Sequence, residues 1–288
     1  MRVVVCVCVS VGLLLLCARA CVCVGSNSKW TPVVSHFFSE VTLFSAQGVT
    51  YNVEQQTWLI SGRDILFEAN PAHDFQITQR LSPAVPKTLL DMGYWHIGDV
   101  STCGGQLYLP IERHGFNSGC IARMPLSTLQ FSGEFGLTTQ SHLPWVAVDC
   151  DAQLAYSSEF DNVNTVNVYR MQDLFPQSGG DNHTLVDPWK VVTLNRTVQH
   201  VQGGELWGHT LFLATNEEPN RPVYLFDVET GQLLDSFGTV EGGEGEGLAV
   251  VPPPNGGAWP QVIVGHTTHL MGIPVGAKYL LYQRAEDS

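Results

Sequence analysis

Acidic and imidazole side chains lie beside glycine at the start of two apolar segments of this chain. His96 and Asp99 flank Ile97-Gly98, and Glu244 and Glu246 alternate with glycine from Gly243 to Gly247. Carboxylate and amide oxygens suit Ca²⁺, which takes about six to eight hard ligands, and histidine adds the option of a transition metal. A bound metal could polarise a lactone or ester carbonyl while a histidine accepts a proton from water.

On the basis of this donor chemistry, we choose six residues as the candidate site. We predict His96 and His200 as catalytic bases, and Asp99, Glu246, Glu112 and Asn216 as metal ligands. Calcium is the expected metal, with either a catalytic or a structural role. The polar set from which the six are drawn is Gln47, Arg63, Asp64, His96, Asp99, Glu112, His114, His142, Glu159, Asp161, His200, Gln202, Asn216, Glu217, Glu244, Glu246, His266 and His269. Exposed loops carry polar residues in any case, so this enrichment alone does not establish a function.

A repeated unit must position these side chains. Short runs of Val, Ile, Leu, Tyr and Phe, separated by Gly, Asn, Asp and Pro, are typical of strands and turns. The runs recur in five groups of four. The first strands of the five groups begin near Gly48, Gly98, Trp145, Gly203 and Gly247.

Four antiparallel strands that recur as a unit predict an all-β fold, a β-propeller of four-stranded blades. We expect five blades, with six as the alternative. A further strand, His36 to Ser45, would either close the ring on the last blade or belong to an incomplete sixth blade. In a propeller the starts of the first strands and the ends of the second strands meet at one mouth of the channel. The polar set therefore converges there.

The N-terminus predicts export. Arg2, the apolar run Val3–Cys17 and the small-x-small triplet Ala18-Arg19-Ala20 describe a signal peptide over residues 1–25, with an uncleaved anchor as the alternative. Residues 26–288 then form a single domain, secreted and monomeric. Two sequons, at Asn182 and Asn195, fit a secreted glycoprotein. No other stretch is apolar enough to span a membrane.

Composition limits the partners of the chain. Only 14% of the 288 residues are charged, and the formal net charge is −13. An acidic surface repels phosphate backbones, which argues against nucleic acid. The region after the signal segment holds Cys103, Cys120 and Cys150, whose pairing the sequence leaves open. Cys103 and Cys150 occupy matching turns of adjacent units, although such turns often lie too far apart for a disulfide.

Two runs resemble a known group of propellers. Gly48-Val-Thr-Tyr-Asn followed by Thr57-Trp-Leu-Ile-Ser, together with Glu246-Gly-Leu-Ala-Val, is similar to the gluconolactonase, paraoxonase and strictosidine-synthase-like group. This resemblance implies a channel metal, commonly calcium, at Glu246, Asp99 and Asn216. His96 and His200 do not follow the pattern of that group.

Two hypotheses follow. The first is an extracellular propeller that binds a small molecule or a protein at its acidic, histidine-bearing mouth. The alternative is a metal-dependent lactonase or esterase. The sequence carries no Gly-x-Ser-x-Gly, no phosphate loop and no His-Glu-x-x-His to decide between them.

Overall fold

The computed structural model describes residues 6–7, 22–23, 29–38, 46–73, 75–176, 184–239, 244–253, 256–270 and 273–285. Strand β1 (Cys6–Val7) pairs with β2 (Val22–Cys23), and the rest of the predicted signal peptide lies outside the described residues. Strand β3 (Trp30–Phe38) precedes the first blade. In the described part of the chain, no helix is both long and apolar enough to cross a membrane.

Besides the two-stranded β1–β2 sheet, the described residues form five sheets built on antiparallel strands, one for each blade, which confirms the predicted five-bladed propeller. Blade one has β4 (Ala46–Asn52), β5 (Thr57–Gly62), β6 (Ile65–Asn70) and β7 (Gln76–Leu81). Helix α1 (Lys87–Asp91) leads into blade two, which has β8 (Tyr94–Ile97), β9 (Ser101–Cys103), β10 (Gln106–Arg113), β11 (Gly119–Pro125) and β12 (Phe135–Thr138).

Blade three has β13 (Ala147–Asp149), β14 (Leu154–Ser157), β15 (Val163–Arg170) and β17 (Lys190–Val198). Helix α2 (Met171–Leu174) follows β15, and β16 (Leu185–Val186) pairs in parallel with β12 of blade two. Blade four has β18 (Val201–Trp207), β19 (Thr210–Thr215), β20 (Pro222–Asp227) and β21 (Leu233–Gly238). Blade five has β22 (Glu244–Val251), β23 (Gln261–Leu270) and β24 (Ile273–Arg284).

The fourth strand of blade five is β3, which pairs with β24 from Trp30 to Phe38. This pairing confirms that a strand before the first unit closes the ring. The predicted segment, His36 to Ser45, overlaps β3 only at its start, and residues 39–45 lie outside the described part. Because β3 covers the edge of β24, the last blade is completed by the N-terminal end of the domain.

The first strand of blade two is interrupted between β8 and β9. Gly98 and Asp99 leave the ladder there, and Asp99 forms a parallel bridge with Trp145 of blade three. A Cβ atom at Gly98 would overlap the carbonyl of Pro144, so only glycine allows this approach. The interruption brings the Asp99 side chain to the centre of the ring.

Apolar side chains pack between neighbouring blades. Five buried clusters each join two adjacent sheets: Leu59 and Leu107 belong to the cluster between blades one and two, and Val166 and Leu211 to that between blades three and four. The core is therefore a ring of inter-blade layers around a polar axis.

Cys103 and Cys150 form a disulfide, with a Cα–Cα distance of 5.6 Å. It joins the turns of blades two and three on the face opposite the starts of the first strands. Cys120 is buried and free. The two turns thus come close enough for the pairing that the sequence left open.

Candidate functional site

A cavity of about 380 Å³ opens at the mouth where the first strands begin. All five blades contribute to its wall. The lining residues are Gln47 from blade one; His96, Glu112 and Phe116 from blade two; His142 and Phe160 from blade three; Gln202 from blade four; and Glu244, Glu246 and Thr267 from blade five. Polar residues of the first-strand starts therefore converge at one mouth, as the propeller topology predicts.

Glu112 is a fully buried carboxylate held between two imidazoles. His96 Nδ1 lies 2.7 Å from Glu112 Oε2, and the two residues are directly paired between β8 and β10. His142 Nδ1 contacts Glu112 Oε1, which also accepts a hydrogen bond of 2.9 Å from the Leu143 amide. Both oxygens of Glu112 thus contact protein groups, Oε2 in blade two and Oε1 in blade three.

The two histidines determine the charge of Glu112. Burial by itself would raise the pKa of this carboxyl group, but hydrogen bonds and charges from His142 and His96 outweigh burial and lower the pKa to about 2. Glu112 is therefore an anion at neutral pH. It orients both imidazoles through their Nδ1 atoms.

Aromatic rings fix the plane of His142. Phe116 stacks on the imidazole with centroids 4.4 Å apart and an interplanar angle of 6°. Phe160 covers the imidazole at 5.2 Å and 21°. The Glu159 carboxylate accepts the His142 backbone N–H at 2.8 Å, which holds the loop that carries the ring. Phe116 is 42% exposed and sits at the rim of the cavity.

Glu246 presents a different kind of carboxyl group to the same cavity. It is buried, and its Oε1 accepts a hydrogen bond of 2.9 Å from the Thr267 hydroxyl. Burial and the charge of Glu244 raise its pKa well above the ordinary value of 4.5, against the effect of the Thr267 hydrogen bond. The cavity is therefore lined by two buried carboxyl groups, Glu112 and Glu246, whose pKa values are shifted in opposite directions.

Asp99 lies on the axis of the ring, below this cavity. Its carboxylate accepts backbone N–H groups from Val49, Gly204 and Leu248, at 2.9, 3.2 and 3.1 Å. Those donors belong to the first strands of blades one, four and five. The backbone of Asp99 bonds with Pro144 and Val146 of blade three. One residue of blade two thus touches the other four blades.

Glycine permits the approach to Asp99. A Cβ atom at Gly48, Gly203 or Gly247 would overlap the Asp99 side chain. Burial raises the pKa of Asp99 well above its ordinary value, although the three backbone donors oppose this. Glu205, buried further along the channel, accepts a hydrogen bond from Ser101, and burial raises its pKa to about 8.

The two predicted catalytic histidines occupy different positions. His96 is at the cavity, but both of its ring nitrogens are engaged, since Nε2 lies 2.6 Å from Gln47 Oε1. His200 lies on the rim, with Nε2 3.3 Å from Asp161 Oδ1, and it is outside the cavity lining. Their assignment as bases stays a prediction, and the geometry of His96 supports a positioning role.

The four predicted metal ligands each have a protein partner. Asp99 accepts backbone amides, Glu112 contacts two histidines, and Glu246 accepts from Thr267. Asn216 both donates to and accepts from the backbone of Gly245. Across the described ranges, no group of three or more His, Cys, Asp or Glu is placed to hold a metal ion. The residues therefore do not fit a calcium site as they stand, and calcium remains a prediction of the sequence.

A larger cavity of about 990 Å³ lies towards the opposite end of blades two and three. It is lined by Arg123, Arg170, Phe175, Pro176 and Trp189, among others. Arg123 is already bound by Glu134 through two hydrogen bonds. Pro176 is the last described residue before residue 184, and we take the mouth cavity, whose lining residues are all described, as the candidate site.

Of the six predicted site residues, His96, Glu112 and Glu246 line this cavity, and several other lining residues are absent from that set. His142 and Gln202 were in the wider polar set, and their position at strand starts was the only available signal. Phe116 and Phe160 in loops and Thr267 in β23 gave no such signal, because aromatic and threonine residues are common at such positions. Glu205 lies inside a strand and was likewise not selected.

No family model matches the chain, and no curated protein matches it either. Solved structures do resemble it. A luciferin-regenerating enzyme has a TM-score of 0.52 at 11% identity, over 87% of this chain and 95% of that chain. Regucalcin from Agrobacterium tumefaciens, a calcium-binding protein, has a TM-score of 0.46 at 16% identity, over 82% and 76%.

The hydrazine synthase of Kuenenia stuttgartiensis has a TM-score of 0.44 at 16% identity. The alignment covers 80% of this chain but only 58% of the hydrazine synthase chain. At identities this low, structural likeness concerns the fold. The likeness to the luciferin-regenerating enzyme therefore supports a β-propeller in general, and the site has to be interpreted from its own residues.

Proposed function

We propose that this protein binds a small polar molecule in the mouth cavity. The observation that carries the proposal is that all five blades place side chains around one space of about 380 Å³. This volume lies within the range of small-molecule sites and is too small for a folded partner. A cavity assembled from the whole ring is held by all five sheets, because each blade contributes at least one wall residue.

The lining suits a ligand that has both polar and apolar parts. Phe116 and Phe160 supply ring faces at one side. Gln202 is available for hydrogen bonding, because its side chain has no partner among the described residues. Glu246 offers a buried carboxyl group, and Glu244 offers an exposed one at the edge. The excess of acidic groups disfavours anionic ligands.

We infer in addition that the protein works outside the cytosol as a monomer. The signal peptide predicted over residues 1–25 supports export, and so does the disulfide between Cys103 and Cys150, because disulfides persist in oxidising compartments. Asn195 is exposed on β17, as a glycosylation acceptor would be.

Thermal melting tests the proposal. A panel of uncharged esters, lactones, monosaccharides and primary amines is added separately to the purified protein. We expect at least one class to raise the melting temperature, since a ligand that binds only the folded state stabilises it. Gln202→Leu should remove the shift, and Gln76→Leu, on the outer strand of blade one, should leave it intact. A shift that survives Gln202→Leu unchanged would place binding elsewhere.

A further inference from the structure

Arg170 lies in the wall of the larger cavity, of about 990 Å³, with its guanidinium stacked on a tryptophan. It is the last residue of β15, and Trp189 directly precedes β17, the neighbouring strand of blade three. This ladder brings the guanidinium over the Trp189 ring, 4.5 Å from the ring centroid. The Arg170 side chain forms no hydrogen bond or ion pair with any residue that the structure describes. Its N–H donors are therefore open to a ligand.

Arg123, in the same wall, shows the complete form of this arrangement. Its guanidinium lies over the Phe175 ring, 4.6 Å from the centroid. Glu134 accepts hydrogen bonds of 2.9 Å from Arg123 Nε and 2.6 Å from Arg123 Nη2. A planar guanidinium can thus stack its face on an aromatic ring while the N–H groups at its edge bind a carboxylate. Arg170 has the ring, and no described residue supplies the carboxylate.

Two other arginines stack on rings without an acidic partner among the described residues. Arg63 lies 5.1 Å from the Trp95 centroid, and Arg113 lies 6.0 Å from the Tyr94 centroid. Neither lines the larger cavity or the mouth cavity, whereas Arg170 does line a cavity. Acidic residues number 27 and basic residues 14 in the chain. An arginine at a cavity wall that still has no acidic partner leaves a place for a carboxylate from outside the chain.

Trp189 supplies apolar surface beside this donor. Its side chain is 49% exposed even with Arg170 over the ring. The buried side chains of Met171 and Phe175 contribute to the same wall. Aromatic rings pair with one another in offset-stacked or edge-to-face arrangements, so a ligand with a planar ring suits this wall. The cavity volume is at the upper end of the range for small-molecule sites.

Asp173 limits the charge that a ligand can carry. It lines the same cavity, is exposed, and forms no ion pair with any described residue. Its carboxylate repels a second negative charge near Arg170. A ligand with one carboxylate is therefore favoured over a ligand with two.

We propose that the larger cavity binds aromatic monocarboxylates, with Arg170 as the donor to the carboxylate and Trp189 as the surface for the ring. This site is separate from the mouth cavity and takes anionic ligands, which the acidic mouth disfavours. The compounds that test the mouth cavity include no carboxylic acid, so either site can fail without the other.

Calorimetric titration with 2-naphthoate tests the site, because this probe carries one carboxylate on a flat ring. The matched compound 2-naphthamide has the same shape without the charge. We expect saturable binding of 2-naphthoate with a Kd of about 1 mM or lower, and a Kd for 2-naphthamide at least about tenfold higher. Arg170→Gln should raise the Kd of 2-naphthoate by about tenfold or more, since the charged donor is lost.

Two further variants separate charge, geometry and ring contact. Arg170→Lys keeps the charge but loses the planar fork, so it should raise the Kd of 2-naphthoate by about threefold or more. Trp189→Ala removes the apolar surface and should raise the Kd by about tenfold. Naphthalene-2,6-dicarboxylate should bind the wild type more weakly than 2-naphthoate does, and Asp173→Asn should reduce this difference.

Matched controls change similar side chains away from the cavity. Arg80 lies over the Phe67 ring at 5.5 Å and lines neither cavity, and Leu234 is 52% exposed on blade four. Arg80→Gln and Leu234→Ala should keep the Kd of 2-naphthoate within about twofold of the wild-type value. Circular dichroism confirms that each variant folds.

Several results would overturn the proposal. One is the absence of saturable binding at about 10 mM 2-naphthoate, where a site with a Kd of about 1 mM is about 90% filled. Another is an equal Kd for 2-naphthoate and 2-naphthamide. A third is a Kd that Arg170→Gln leaves unchanged. Equal losses in Gln202→Leu and Arg170→Gln would also contradict it, because they would not place the probe in the larger cavity.

Discussion

Asp99 is a fully buried carboxyl group that accepts hydrogen bonds from the backbones of three blades. Its own backbone bonds to a fourth blade, so one residue ties the inner strands of the whole ring. A buried N–H group that loses its acceptor costs about 1–3 kcal/mol. Asp99 therefore explains why the first strand of blade two is interrupted: the interruption carries the acceptor to the axis.

Asp99→Ala should lower the free energy of unfolding by about 3 kcal/mol or more, because three buried N–H groups lose their acceptor together. Urea denaturation of the purified protein measures this loss. Asp91→Ala, which removes an exposed ion pair with Lys87, is the control and should cost less than about 1 kcal/mol. Destabilisation of the wild type by EDTA to the same extent would instead support the predicted metal role of Asp99.

The residue scale also limits what the sequence could predict. Acids and histidines at strand starts indicated the mouth, because propeller topology alone brings those positions together. Which histidine keeps a free nitrogen could not be predicted. The answer depends on the contacts of Glu112 with imidazoles from two blades and on the contact of Gln47 with His96 Nε2. The spacing of these residues along the chain does not predict either contact.

At the scale of elements, the ring is closed by β3. Trp30 is 2% exposed on this strand and stacks on Phe237 of blade four at 4.8 Å. It also packs edge-on against Phe212 and Trp259. The N-terminal strand thus completes blade five through its backbone and fills the interface with blade four through one large side chain.

Trp30→Ala should destabilise the domain by about 3–5 kcal/mol, the usual cost of removing a buried large aromatic side chain. Val33 on the same strand is 48% exposed, so Val33→Ala should change stability by less than about 0.5 kcal/mol. Both values come from urea unfolding curves. Equal, small effects would mean that β3 does not contribute to ring closure in solution.

The elements themselves were largely predictable, and the exceptions have local causes. The grouping of four strands into each blade was predicted from apolar runs that alternate with turn residues, because these patterns are determined by short-range structure. The fourth strand of blade two begins at Phe135, and the apolar Leu129 before it adopts a φ of 50° in a turn. The short helices α1 and α2 carry too few residues for helical periodicity to show.

The whole molecule places buried acids along its axis, and this makes stability depend on pH. Glu205 has an ordinary pKa of 4.5 and a folded pKa of about 8 because of burial. The contribution of Glu205 to the stability of the folded state is fully present below pH 4.5 and is lost as the pH rises through 8. Glu112, with a folded pKa of about 2, has the opposite effect. Its contribution to the stability of the folded state is present above pH 4.5 and is lost as the pH falls towards 2.

Glu205→Gln should therefore flatten the fall in melting temperature between pH 6.5 and 8.5, because the amide cannot ionise. This window lies above the titration of Glu112 and of His266, whose pKa burial lowers to about 4. Differential scanning calorimetry across the window gives both curves. Wild-type and variant curves that stay parallel would show that Glu205 does not titrate in this range.

The most direct test of the mouth cavity is a crystal structure of the protein with the small molecule that most raises its melting temperature. The account predicts electron density for that molecule within reach of His142 and Gln202, between the five first strands. Density instead in the larger cavity beside Arg170 and Trp189, with the mouth empty, would contradict it.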